Sequence, residues 1–361
     1  SGGNSVLDLG NGNSITFNGL TKAQFEAAGD VWVSSALTPT AGQTFTLTTG
    51  VDTLTGTNGN DTFIAVQSAT GTTETFSVAD RLDGGAGNDT LNLVSEEGAA
   101  VNAATVTNIE NLIYRPTAAG GNISLDNFTS VTNLTVDRLV GATNIAGVAL
   151  TDTLTLKDFL ATADTTVTFG GTLTGASDSA TVTIQGAADG GDVEFSGAVE
   201  NMTINTSGSE SKLADLVFDG ATKSLTFNAD EALTVGTTFT AAAVTKITAT
   251  GDSKVTLTPA LADTVVNVDA SAQTGDDSGV TVTTGNVADT NGDGIDFTFL
   301  GGAGKDSVNV TGLDDADELS VTMGAADDTV TLNGDVLDGT NDKVNGGDGN
   351  DTLVINDQAA L

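Results

Sequence analysis

Three octapeptides carry the residue types and spacing best suited to chemistry in this chain. Gly84–Leu91, Gly301–Val308 and Gly346–Leu353 share the pattern Gly-Gly-x-Gly-x-Asp-x-Φ, where Φ is apolar. Gly56–Phe63 is a weaker copy lacking the second glycine, and Met323–Val330 lacks the first and third. Glycine has no Cβ and tolerates positive φ, so such a turn lets backbone carbonyls approach a common centre. The aspartate adds a short carboxylate ahead of a strand, and the apolar residue two positions on anchors that strand in a core. Two stacked turns would offer roughly six oxygens near 2.3–2.6 Å, which suits Ca²⁺ better than strictly octahedral Mg²⁺. The candidate ligands are Gly56, Asn58 and Asp61, then Asp83, Gly85, Gly87 and Asp89. The later copies add Gly302, Gly304 and Asp306, then Asp328, then Gly347, Gly349 and Asp351.

A second regularity joins the first. Asp52, Asp80 and Asp342, candidate ligands as well, lie nine residues before Asp61, Asp89 and Asp351, and each is followed two residues later by Leu54, Leu82 or Val344. Asp-x-Φ at a period of nine is the nonapeptide signature of calcium-binding parallel β-rolls. A single Gly-x-Gly-x-Asp would be an ordinary turn; its repetition at fixed spacing makes chance a poor explanation. Asp289, Asn291, Asp293 and Asp296 form a different candidate, resembling the first half of an EF-hand loop. Leu300 stands where that loop needs Glu, and no helix signals flank it, so a truncated calcium loop and a solvated turn both remain. Asp314–Glu318 is a weaker calcium candidate, for which a solvated charged turn is the favoured reading.

The rest of the composition narrows the field. The 361 residues include 48 acidic and 11 basic side chains, for a net charge of −37, with nearly four Asp for every Glu. Without His or Cys there is no Ser-His-Asp or Cys-His triad, no zinc site of the usual kind and no disulfide framework. A field this acidic repels nucleic acid and anionic lipid head groups, so neither is an expected partner. No apolar run approaches the roughly 18 residues needed to span a bilayer. High charge with few aromatics suggests disorder, but 38% hydrophobic content and only three prolines argue for a folded chain whose charge has a cation partner. An enzyme acting on polysaccharide would need aromatic platforms or clustered cations. One Trp, one Tyr and 11 basic residues spread along the chain supply neither, and no carboxylate pair stands out for glycoside hydrolysis. The expectation is a protein that is not an enzyme.

The elements that must position the motifs are short. Val6–Leu9 and Ser14–Phe17 flank a Gly/Asn turn and read as a hairpin. Thr21–Gln24 forms a capping box before a brief helix, with Gly29 as its stop. Nearly everything afterwards is apolar-polar-apolar triplets such as Leu154–Leu156, Val182–Ile184 and Val330–Leu332, bounded by Gly, Asp, Asn or Ala. Runs of three to five residues recurring about every 9 to 22 describe rungs of a β-solenoid better than a sandwich. The expected fold is all-β: a parallel β-roll or β-helix, irregular in the middle, behind a small hairpin-helix segment. Its parts are residues 1–40, a motif-bearing segment 41–97, an irregular Thr/Ala/Gly-rich solenoid 98–285, and a second motif-bearing segment 286–361. Ser1-Gly2-Gly3 reads as a linker and Leu361 closely follows a motif copy, so a piece of a longer protein is expected.

These motifs resemble those of the RTX (repeats-in-toxin) family of secreted bacterial proteins. Within it, the chain is most similar to calcium-dependent surface-layer proteins of the Gram-negative, alphaproteobacterial type. Leu47–Phe63, Asp80–Leu93 and the signature Val106–Leu112, which returns as Ala198–Ile204, carry that likeness. It covers roughly residues 40–361, although only the Gly/Asp motifs are specific. The middle third has no such repeat, and the usual C-terminal secretion signal is missing. The resemblance implies several bound Ca²⁺ ions, type I secretion, calcium-triggered folding, and assembly of copies of the chain into a layer on the cell surface. Lipopolysaccharide is a further implied partner. An RTX adhesin or extender module is the alternative, as is an ice-binding β-solenoid. Thr153/Thr155, Thr172/Thr174, Thr181/Thr183 and Thr281/Thr283 could form a threonine ladder, but their irregular spacing predicts that they do not fall in register.

Overall fold

The computed structural model describes residues 4–10, 13–19, 21–27, 41–161, 163–171, 173, 175–285, 297–310, 313, 318–333, 336–337 and 342–356. Ser5–Gly10 pairs antiparallel with Asn13–Phe17, the hairpin expected from its Gly/Asn turn. The helix Lys22–Ala27 follows, and its capping box closes as the sequence implies: the Thr21 amide donates to Gln24 Oε1 at 3.0 Å and the Gln24 amide to Thr21 Oγ1 at 3.3 Å. The expected stop at Gly29 lies outside the described residues.

From Thr44 onward the chain is a parallel β-solenoid. Strands alternate along the chain between a 14-stranded sheet, running from Thr44–Thr46 to Lys343–Asn345, and a second wall. That wall is a three-stranded sheet of Thr53–Thr55, Arg81–Asp83 and Thr105–Thr107, and after it an 11-stranded sheet from Ile123–Ser124 to Thr352–Ile355. Period-two alternation explains the rungs: Leu91 and Leu93, Leu112 and Tyr114, Leu134 and Val136, and Leu154 and Leu156 all point inward and are buried. Parallel register places Leu91, Leu112, Leu134 and Leu154 in one stack. One continuous apolar core results.

Corners absorb variation in rung length. Stacked corner residues are 18 apart at Gln43/Asp61, 28 at Asp61/Asp89 and 22 at Asp306/Asp328. The expectation for the threonines holds in part: Thr281 and Thr283 stand on the other wall from Thr153, Thr155, Thr181 and Thr183. Thr155 pairs with Thr183 in register, and Thr181, Thr203, Thr226 and Thr248 form an unbroken outward column, because the loops take up the sequence irregularity. Thr172 and Thr174 lie outside the described residues.

The middle is irregular in a specific sense. Among the described residues, every register shift of the solenoid falls between Ala146 and Ala260. Both long sheets nonetheless run through it unbroken, with strands of five to eight residues such as Asp164–Phe169 and Ser211–Phe218.

Candidate functional site

The motif aspartates are corner caps. Each sits immediately before a strand and turns its carboxylate toward the neighbouring rung. The Gln43 amide donates to Asp61 Oδ1 at 2.6 Å, the Asp61 amide to Asp89 Oδ1 at 2.6 Å, and the Asp89 amide to Glu110 Oε2 at 2.8 Å. The C-terminal motifs repeat the arrangement. Amides of Val280, Asp306 and Asp328 donate to Asp306, Asp328 and Asp351 at 2.6, 2.8 and 3.1 Å. Each carboxylate thereby satisfies a corner amide that no strand partner reaches, a requirement for any buried backbone donor.

The nine-residue pairs acquire a meaning. Asp52 and Asp80 start strands of the three-stranded sheet, while Asp61 and Asp89 start strands of the 14-stranded sheet. The Asp52 amide donates to Asp80 Oδ1 at 2.8 Å, and the Leu319 amide to Asp342 Oδ1 at 2.9 Å. Nine residues carry the chain from one wall to the other, with the same cap at each crossing.

Glycines are fixed by the stacking of turns. A Cβ on Gly84 would lie 1.8 Å from the Asn108 carbonyl oxygen and 2.5 Å from Asp89 Oδ2; on Gly301 it would lie 1.8 Å from the Met323 oxygen and 2.5 Å from Asp306 Oδ2. Gly56 is equally confined, 2.0 Å from the Gly84 oxygen and 2.5 Å from Asp61 Oδ2. Gly85, Gly87, Gly302, Gly304, Gly347 and Gly349 each have a carbonyl oxygen of the adjacent rung 2.0–2.6 Å from where a Cβ would stand. The first glycine of each motif, absent from the candidate ligands in the three complete copies, is thus the one packed against the motif carboxylate.

Electrostatically these corners are costly. Asp61, Asp80, Asp89, Asp306 and Asp328 are all at most 1% exposed. Burial raises the Asp89 carboxyl above its ordinary value, and the charges of Asp61, Glu110 and Asp83 add to it against the opposing Asp61 amide. Asp306 is raised mainly by burial, and Asp328 is pushed up to about 6 by burial with the charges of Asp306, Asp351 and Asp327. Burial acts on Asp61 too, but the amides of Gln43 and Thr57 and the Thr57 hydroxyl outweigh it and hold that carboxyl below the ordinary range. Asp89 Oδ2 and Asp328 Oδ2 are buried with no hydrogen-bond partner. Such atoms call for a missing partner.

The remaining candidates divide. Asp83 accepts from the Gly85 amide at 3.1 Å and Asn108 Nδ2 at 2.8 Å. Asn58 is exposed, and Thr57 instead supplies the side chain that meets Asp61. Asp289, Asn291, Asp293 and Asp296 lie outside the described residues, as does the Asp314–Asp317 part of the charged turn. Sequence reasoning missed Glu110 and Glu200 as caps. The Asp178 amide donates to Glu200 Oε2 at 2.9 Å, as Asp89 does to Glu110, so the recurring apolar-Glu-Asn signature is the same cap with a longer arm. Among the described residues no three His, Cys, Asp or Glu side chains form a group that could hold a metal ion by themselves.

Fold and corners together define a parallel β-solenoid whose rungs are capped by stacked carboxylates. No family model matches the chain, and a search of curated proteins finds no match.

Proposed function

We propose that the chain is an extracellular structural protein that folds with Ca²⁺ and assembles with its own copies into a surface layer or similar array. The observation that supports it is the stack of buried corner carboxylates with partnerless oxygens on Asp89 and Asp328. Like charges stacked on neighbouring rungs raise one another's proton affinity, and a divalent cation would relieve that strain without adding a side chain. Stacked pairs, Asp61 with Asp89 at one end and Asp306 with Asp328 at the other, would meet it, with turn carbonyls supplying the rest of the oxygen shell. The ion supplies positive charge and coordination at the corner; the chain supplies the stacked rungs. Where calcium is scarce, repulsion across a net −37 favours the unfolded, exportable chain. Where it is plentiful, binding to the folded state alone stabilises it.

Circular dichroism and melting before and after EGTA test the calcium step. The expected result is loss of β signal or a large fall in Tm; an unchanged spectrum and Tm would remove calcium from the account. Negative-stain images with and without calcium test assembly, where a monodisperse monomer in both would favour an adhesin segment. The in-register threonine column Thr181–Thr248 favours a second reading, ice binding, because it forms a repetitive hydroxyl-bearing face. An ice-recrystallisation assay without inhibition would discard it.

A further inference from the structure

Arg115, Arg138 and Lys157 are three of only 11 basic side chains. Each is about one solenoid turn from the next in sequence, and they stand together on consecutive rungs of the 14-stranded sheet. Two adjoining open hollows, of about 420 and 250 Å³, share Arg115, Arg138 and Leu160 in their walls. Leu160 is 42% exposed there, an apolar shelf beside the cations.

The cations are under-used. Asp137 is shared by Arg115 at 3.8 Å and Lys157 at 3.9 Å. Lys157 also pairs with Asp158 at 3.7 Å. These long, half-exposed contacts contribute little and leave most of the five guanidinium donors of Arg115 open. Arg138 has no ion-pair partner among the described residues. Its backbone is also left-handed, with φ 64°. On the next two rungs the equivalent corner residues are Asp158 at φ 52° and Gly186 at φ 65°. Asp and Gly tolerate that conformation far better than Arg. Glu97, Asn108, Ala198 and Ala326 also take positive φ, so the conformation belongs to the solenoid's turns. What sets Arg138 apart is an exposed guanidinium with no ion pair among the described residues, at the rim of a hollow.

We propose that this groove binds an anionic sugar. Arg138 and Arg115 take its carboxylate or phosphate, and a carbon face of its ring lies on Leu160. The planar guanidinium fork matches both anions, and the larger hollow falls within the range of small-molecule sites. Asp137 and Asp158 also line the larger hollow, so the purely cationic wall is that of the smaller one, with Arg115 and Arg138 and no carboxylate. One charged sugar unit can sit against it, whereas a polyanion such as nucleic acid would meet the repulsion of the whole chain.

The test is calorimetric titration of the full chain in calcium buffer with digalacturonate for the carboxylate, glucose 6-phosphate for the phosphate, and neutral lactose as control. Saturable binding of at least one anion and none of lactose is expected. Arg138→Asn should weaken binding by about tenfold or more, equivalent to ~1.4 kcal/mol, while Arg81→Gln on the other wall leaves it unchanged. Arg138→Asn should melt no lower than the parent, because Asn accepts the left-handed corner, so lost binding is separable from lost folding. Absence of saturable binding by either anion overturns the proposal. So does undiminished binding in Arg138→Asn, which would place the anion at cation-loaded carboxylate corners.

Discussion

At the ends of the solenoid, the corner before Thr90–Glu96 is built from Gly84, Gly85 and Gly87 pressed against neighbouring carbonyls, with Asp89 buried beneath them. In the middle, Gly191–Ser196 is held differently: Phe195 stacks between Phe169 at 6.3 Å and Phe218 at 5.5 Å, and Phe218 meets Phe239 at 6.2 Å. The first kind of rung also buries apolar side chains, Phe63, Leu91, Phe297 and Phe299 among them, but adds fully buried carboxylates stacked at its corners. The second buries large aromatic side chains in the core. The fully buried motif carboxylates belong to the ends, while the middle carries carboxylates of another kind, with Asp178 Oδ2 and Asp215 Oδ1 also partnerless and Asp192 raised by burial beside Asp164 and Asp215. The register shifts confined to the middle fit this division, since an apolar core tolerates a bulge that stacked glycine turns would not.

The largest expected effect comes from breaking the aromatic column. Phe218→Ala should cost about 3–5 kcal/mol, the usual loss for a buried Phe. The loss should be the same in calcium and in EGTA, as measured by chemical denaturation. A calcium-dependent loss would show that middle and ends unfold as one unit.

Asp89→Asn probes the other region and should change sign with conditions. Asn can still accept the Asp61 amide but removes the charge facing Asp61 and Glu110. In EGTA the substitution should stabilise by about 1 kcal/mol; in calcium it should destabilise by a similar or larger amount. Thermal melts in both buffers decide this, and destabilisation in both would mean the carboxylate serves the corner without a cation.

The smallest effect is a pH dependence. Asp328 at the C-terminal end and Asp192 in the middle are both raised to about 6. For Asp192 burial leads, followed by its hydrogen bond to Asp164 and the charges of Asp215 and Asp164. A carboxyl that binds protons more tightly when folded adds stability that is complete below the ordinary 3.8 and is lost as pH rises through about 6. Ion-free protein should accordingly gain on the order of a few degrees in Tm between neutral pH and pH about 5. Asp61, held low, works in the opposite sense below its ordinary value. Saturating calcium should cancel the Asp328 contribution and spare that of Asp192. A pH response identical with and without calcium would contradict the distinction between the regions.

Much of the fold was legible because both of its periods are local. Alternation in Leu154-Thr155-Leu156 identifies an inward pair, and Asp-x-Leu repeated after nine residues identifies a corner and its strand. The caps Glu110 and Glu200 were visible only as a repeated signature, since their role depends on an amide 21 or 22 residues away. The column of Thr181, Thr203, Thr226 and Thr248 was not legible, because sequence spacing measures loop length as well as rung length and only pairing separates the two. The cationic groove was hidden for a related reason: Arg115, Arg138 and Lys157 look scattered in sequence and become neighbours when rungs stack.

The sequence by itself determined an all-β solenoid with carboxylates at glycine-rich corners, because side-chain alternation and turn chemistry act within a few residues. The tertiary structure alone decided which carboxylate meets which amide, which oxygens are left without a partner, and where the few cations gather. Those outcomes depend on parallel register between rungs about 18 to 28 residues apart, and register is set by the packing of the whole core.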